Sequence, residues 1–436
     1  MSDSPASPSR ATRSEVFAWA LYDWANSAYS TLSITVLVYY IKVISPGEWG
    51  SVVWAWGISL SMFVAAVLSP IVGAMADAQR SKRAWLAVTA LGGSAAAVAM
   101  AMMPSSNAWA IIALFVTTSL CFELSLGVYN GFLPEIADDR SMNRVSAWGY
   151  ALGYLGGALA LVLAIIVMRV GPSLGLPEQV DQLRAGILIM GAWWGLFTLP
   201  TLWILHDRGT RPERRPSTSK IVVGALSEVG RTLRNVRRYR TLALFLLAFL
   251  LYNDGIQSVL SQASVFAKDV LSFSLDELIG LILLIQFVAL PGAMIVGHLA
   301  DRFGQRRVLM ICLAVWVALV TAAFFVTTKS QFWVLGIILA LVMGGTQSVS
   351  RAIMGVMTPK SKTAEFFGFF NLSGKATSFL GTFLFGAIIA VGNSSGWTAA
   401  RSTRWAVLSL LVFFIAGWII VGRIRVEQGC REAQAE

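Results

Sequence analysis

Apolar residues fall in twelve runs of about 20 along this chain, each long enough to cross a bilayer as a helix. The runs lie near residues 17–41, 52–76, 84–103, 109–131, 145–168 and 185–205, and then 241–266, 278–300, 308–328, 332–357, 367–391 and 404–423. A helix satisfies its own backbone in lipid and an open strand cannot, so each run predicts a transmembrane helix. The one long polar connection, 206–240, divides the set six plus six. The expected organisation is a disordered head over 1–14, an N-terminal six-helix bundle over 15–205 and a basic linker over 206–240. A C-terminal six-helix bundle over 241–425 and a short tail over 426–436 complete it. The first run has no small-residue cleavage site, which predicts a retained helix rather than a signal peptide.

Composition agrees with this pattern. Of 436 residues, 56% are apolar and only 13% charged, about half the charge of a soluble protein. The surplus apolar surface must face lipid, and the fold class is all-α integral membrane. Basic residues then set the orientation. Connections on the side of the two termini carry 25 Lys and Arg, and those on the other side carry seven. Both termini are therefore predicted to be cytoplasmic. The net charge of +11 is explained by these loops and asks for no nucleic acid. Three cysteines and two histidines make neither a disulfide framework nor a metal cluster.

The halves repeat in the same orientation. After the second run stands Gly73-Ala-Met-Ala-Asp77-Ala-Gln-Arg80-Ser-Lys82-Arg83; after the eighth, Gly297-His-Leu-Ala-Asp301-Arg-Phe-Gly304-Gln-Arg306-Arg307, at a constant offset of 224. Two parallel six-helix units around an axis along the membrane normal, with a cavity between them, form one plan of secondary transporters. The doubled motif has a mechanical reading as a gate. Glycine lets two helices approach, aspartate caps a helix end or pairs with a base, and the basic residues hold the loop at the headgroups. Ordinary positive-inside loop chemistry is the plainer alternative.

The doubled motif on a twelve-helix chain resembles the signature of the major facilitator superfamily. Longer strings narrow the resemblance: Trp19-Ala-Leu-Tyr-Asp-Trp-Ala-Asn-Ser-Ala-Tyr29, Tyr129-Asn-Gly-Phe-Leu-Pro-Glu135 and Trp148-Gly-Tyr-Ala-Leu-Gly-Tyr-Leu-Gly-Gly157. Phe249-Leu-Leu-Tyr-Asn-Asp-Gly255, Gly344-Gly-Thr-Gln-Ser-Val-Ser-Arg351 and Ala364-Glu-Phe-Phe-Gly368 extend it. Together they resemble the branch of the autophagy-related vacuole effluxers and their bacterial relatives, over roughly residues 15–425. The resemblance implies the major facilitator fold, a cavity lined by helices 1, 4, 7 and 10, and, from the fungal members, export of amino acids.

Embedded polar groups mark candidate sites independently. Asp23, Glu123 and Asp254 lie inside apolar runs, where a charge costs roughly 2.5–3.5 kcal/mol on insertion scales. Such acids should face a cavity or a partner. Arg351 and Lys375 are possible counter-charges, or could snorkel to the interface. Asn253, Gln257 and Gln347 add amides, and Gln347 matches Glu123 at the same 224 offset. Tyr22, Asn26 and Tyr29 share one face of the first helix, a candidate substrate wall whose alternative is packing. Gly149, Gly153 and Gly157 predict close helix packing.

No nucleoside-triphosphate phosphate loop and no metal-ligand spacing occur in the sequence. The leading expectation is a secondary transporter of small polar solutes, amino acids first, acting as a monomer in a bacterial inner membrane. A proton gradient, or failing that sodium, would drive it without a bound cofactor. A sugar, drug or other metabolite is the alternative substrate; a membrane receptor or sensor is the alternative class.

Overall fold

A computed structural model of the chain describes residues 11–45, 49–208, 218–375 and 380–435. The first six spans are α1 (Arg13–Ile44), α2 (Trp49–Ala78), α3 (Lys82–Met102), α4 (Ala108–Asn130), α5 (Met142–Val170) and α6 (Gln179–Ile204). The second set is α7 (Arg240–Leu271), α8 (Leu275–Phe303), α9 (Gln305–Phe325) and α10 (Lys329–Met357). It closes with α11, described as Thr363–Lys375 and Leu380–Ser394, and α12 (Ala399–Arg423). No strand occurs among the described residues. This is the expected all-α, twelve-helix membrane fold.

Several helices start earlier than the apolar runs because side chains cap them. Thr12 with Glu15, Ser274 with Glu277 and Thr328 with Gln331 form capping boxes, each satisfying two orphan N–H groups. The first box makes Arg13 and Ser14 helical, so the expected head ends sooner than residue 14; residues 1–10 lie outside the described set. The linker also contains more structure than its polarity suggested. Residues Thr218–Arg234 form an amphipathic helix whose Ile221, Val222, Ala225 and Val229 pack on Ile71, Ala74 and Met75 of α2. The tail forms a helix, Val426–Gln434, tied to the start of α7 by Glu432 and Thr241.

Each half builds an apolar core of its own, one around Trp19, Tyr129 and Trp194, the other around Tyr252, Trp316 and Phe414. Within the first half, α5 lies against α1 through glycines. A Cβ at Gly153 would stand 2.9 Å from Ser27 Oγ, and one at Gly156 would stand 2.5 Å from the Trp24 carbonyl oxygen. Small residues replace the missing hydrophobic drive between helices in lipid by allowing backbone approach.

The halves meet along two seams, α2 against α11 and α5 against α8. A side chain at Gly73 would run into the Ala364 carbonyl, and one at Gly297 would stand 2.6 Å from Ala147 Cβ. Both motif glycines therefore serve close approach between halves. Both motif turns pass through a positive φ: Arg80 has φ +49° and Gly304, its counterpart, φ +92°. Glycine adopts that region freely and arginine does not.

Two outcomes follow for stability. Gly156→Val should lower stability by about 1–3 kcal/mol through overpacking against the α1 backbone, read as a lower Tm in detergent. Arg80→Gly should raise it by about 1 kcal/mol by relieving the left-handed strain, in the same assay.

Candidate functional site

The centre of the interface is Arg351 of α10, only 2% exposed. A guanidinium offers five donors in a plane, and the first half supplies the acceptors. Nη1 donates to Asp23 Oδ2 at 2.8 Å and to Asn130 Oδ1 at 3.3 Å. Nε donates to Ser146 Oγ at 3.0 Å and Nη2 to the Ser146 carbonyl at 2.7 Å. Tyr150 and Trp19 lie 4.1 and 4.8 Å from the guanidinium carbon, measured to ring centroids, within cation–π range. Arg351 thus does not snorkel: its charge is matched and caged inside the bundle. Gly149 makes room for the pair, since a Cβ there would stand 2.5 Å from Asp23 Oδ2 and 2.6 Å from Arg351 Nη2. One turn along both helices, Tyr154 of α5 donates to Gln347 Oε1 of α10 at 2.8 Å.

The remaining candidates divide between seam and core. Tyr22 and Tyr29 turn into the first half: Tyr22 lies 4.7 Å ring to ring from Tyr129, and Tyr29 donates to Ser119 Oγ at 2.7 Å. In this structure both rings of that face lie inside the first half. Asn26, between them, is buried with its Nδ2 unpartnered among the described residues. Glu123 is 7% exposed, and its main-chain carbonyl accepts from Asn371 of α11 at 2.9 Å. On α7, Asn253 donates to the Gly374 carbonyl at 2.9 Å while Asp254 Oδ2 accepts the Gly381 N–H at 2.9 Å. The two thus hold the two described pieces of α11, and Asp254 keeps Oδ1 buried without a hydrogen-bond partner among the described residues. Gln257 is half-buried, and the Lys375 side chain lies outside the described residues.

Both motif loops cross between the halves, at the end of the bundle where the linker and chain ends lie. Asp77 Oδ2 accepts the Glu365 N–H in the first turn of α11 at 2.9 Å, which satisfies an orphan donor. Lys82 lies 3.1 Å from Asp77 Oδ1, 2.5 Å from Glu135 Oε1, and donates to Thr363 Oγ1 at 2.6 Å. Arg83 contributes its backbone N–H, which donates to Asp207 at 2.9 Å. In the second loop Asp301 accepts from Asn143 Nδ2 at 2.9 Å, and Arg306 donates to the Val421 and Gly422 carbonyls. No contact of the Arg307 or Arg80 side chain takes part in these bonds. The expected basic or helix-terminal partner exists for Asp77; for Asp301 it is an amide on α5.

Sequence reasoning missed Asn130, Ser146, Tyr150, Asn143, Glu135, Thr363 and Glu365 as site residues. Several lie in the strings that carried the resemblance, but at the edges of apolar runs, where polar residues read as loop chemistry.

Comparison with known proteins agrees with this architecture. Residues 50–434 match the family described as vacuole effluxer Atg22 like. An uncharacterised major-facilitator-type transporter of Bacillus subtilis, YxiO, is 32% identical over 96% of both chains. Autophagy-related protein 22 of Eremothecium gossypii is 23% identical over 87% of this chain and 78% of its own. Among solved structures, the human organic anion transporter MFSD10 matches with TM-score 0.71 at 12% identity, covering 94% of this chain and 99% of its own. The transporter FucP, described in its outward conformation, matches with TM-score 0.69 at 13% identity, covering 95% and 100%. A fold with two six-helix halves meeting on a buried ion pair, and these matches, place the chain in the Atg22-like vacuole effluxer family of major facilitator transporters.

Proposed function

We propose that the chain carries a small zwitterionic solute, an amino acid, across a bacterial inner membrane by alternating access, driven by a proton gradient. The observation that supports this reading is the Arg351–Asp23 bond at 2.8 Å between the halves. A buried pair with good geometry is neutral as a unit, yet losing one partner strands a charge and costs about 3–5 kcal/mol. A zwitterion can exchange with such a pair without stranding either: its carboxylate takes Arg351 and its ammonium takes Asp23. A neutral sugar offers no such exchange.

On the proposed orientation both termini and the motif loops are cytoplasmic. The contacts of Asp77, Lys82 and Asp301 then close the cytoplasmic side, and the present state faces outward. Asp254, buried with one carboxylate oxygen unpartnered among the described residues, is the proposed proton carrier, with Glu123 the other candidate. Its proton would weaken the bond to Gly381 and release the hold of α7 on the outer piece of α11. The monomer contains both halves of the pair and is the proposed working unit.

A thermal-shift panel on purified protein tests the substrate. Amino acids should raise the Tm of the wild type and not of Arg351→Lys, whose ammonium cannot reproduce the planar fork. Stabilisation by sugars, with none by any amino acid, would sink the zwitterion reading. In proteoliposomes an imposed pH gradient should drive amino-acid accumulation; accumulation that follows sodium instead would remove the proton. For the gate, Asp77→Asn should slow transport severalfold while changing substrate affinity less than about twofold, because Lys82 loses an ionic partner and the cavity is untouched. Unchanged transport in that variant would leave Asp77 a topological residue only.

A further inference from the structure

Around the first motif loop the buried charges do not balance. Asp77, Lys82 and Glu365 are 7%, 5% and 1% exposed, and the Glu135 side chain is 11% exposed. Lys82 is the one cation inside this group and is shared by Asp77 and Glu135. Glu365 holds its place through its backbone, whose N–H donates to Asp77. Its carboxylate has no hydrogen-bond partner among the described residues on either oxygen. The Thr232 hydroxyl of the linker helix faces it, is itself buried, and is also unpartnered.

The charged groups packed around Glu365 come from every neighbouring element. α2 contributes Asp77, the start of α3 Lys82, and the turn after α4 Glu135. The linker helix contributes Glu228 and Arg231, and the loop before α11 contributes Lys362. Lys362 and Arg231 are both engaged by Glu228, at 2.9 and 3.0 Å. The outer ring keeps one net positive charge, with both of its cations turned to Glu228, while the inner group carries three carboxylates to one ammonium. A second uncompensated negative charge in a dry seam is strongly disfavoured, and a carboxyl group under that constraint keeps its proton.

We infer that Glu365 is a proton-binding site that holds this gate shut. Protonated, it is a neutral side chain that fits the closed seam between α2, α11 and the linker helix. Losing its proton adds a charge faced by the Thr232 hydroxyl alone among the described hydrogen-bonding groups, since Lys82 is already shared by Asp77 and Glu135. The seam then parts, because parting lets water solvate the carboxylate. The closed form is thus favoured at low pH and lost as pH rises. This site is separate from the Asp254 carrier: it sits in the first turn of α11, ahead of the apolar run 367–391. It sets when the gate opens rather than what crosses. The inference rests on the alternating-access reading but not on the substrate or the driving ion.

The test measures the seam directly. Ala78→Cys and Ser361→Cys place spin labels at two exposed positions on opposite sides of the α2–α11 contact. The background replaces Cys121, Cys312 and Cys430 by alanine. Pulsed electron resonance on the full chain in nanodiscs, from about pH 5.5 to 8.5, reads the distance distribution. The long-distance population should rise severalfold over that range. In Glu365→Gln, nearly the same shape with no proton to lose, the short distance should persist at every pH. Glu365→Asp should restore the pH dependence, and Asp254→Asn should leave it intact. A Glu365→Gln chain that still opens with pH, or a wild-type distance that stays fixed across the range, would overturn the inference. Loss of amino-acid transport beside an intact pH-dependent distance would count against the substrate reading and not against this one.

Discussion

A guanidinium has no neutral form within reach, so a chain that places Arg351 between two apolar bundles must solvate it with protein. That requirement organises the interface. Asp23 supplies the opposite charge, Ser146 and Asn130 take the remaining donors, and Tyr150 and Trp19 cover the faces. All of these partners come from the first half, while Arg351 belongs to the second. The halves are thus registered against each other by one charge. Gly149 follows as a consequence, since any side chain there would collide with both members of the pair. The Tyr154–Gln347 bond, one turn away, repeats the same α5–α10 register.

The same physics appears at the linker end with the signs reversed. There the excess is of carboxylates, and the available partners are one lysine and helix-terminal N–H groups. Asp77 uses both kinds, while Asp301, at an exposed position, needs only the amide of Asn143. The two copies of the motif are therefore not equivalent, although their sequences run in parallel. The first is buried under the linker helix and committed to α11; the second lies open and holds α5. Burial separates them, together with the exchange of Arg80 for Gly304 and of Lys82 for Arg306.

Helices and their number were legible because lipid imposes a single requirement on every span: about 20 apolar residues with an internally satisfied backbone. The motif glycines were legible for a related reason, since only close approach explains glycine at Gly73 and Gly297 in matched places. Pairing was not legible. Asp23 and Arg351 are 328 positions apart, and nothing local in either run names the other. Tyr22 and Tyr29 were ambiguous for the opposite reason: a polar-tipped ring on an apolar helix fits a cavity wall and a helix–helix contact equally well, and only the neighbour tells them apart. In this chain the neighbour is α4, through Ser119 and Tyr129. The linker helix was hidden by its composition, because a single amphipathic face among many arginines lowers mean hydropathy without preventing the face from docking on α2.

Energetics connect the two ends of the interface. To open at the linker end the halves must release the Asp77–Glu365 bond, the Asn143–Asp301 bond and, at the centre, the Arg351–Asp23 pair. Hydrogen bonds to charged groups contribute about 1.5–3 kcal/mol each, and the exposed one at Asp301 contributes least. The closed state is then favoured by on the order of 5 kcal/mol over a parted state with nothing in exchange. A shift from 1:99 to 99:1 needs about 5.5 kcal/mol of differential binding, which is the same scale. No single local event supplies it. Under the proposed function, exchange of the central pair with the solute recovers one part, and hydration of carboxylates freed from the dry seam recovers another. Either contribution shifts the balance toward the parted seam and the two together complete the shift, and that shared demand separates a pair of rocking bundles from a leak.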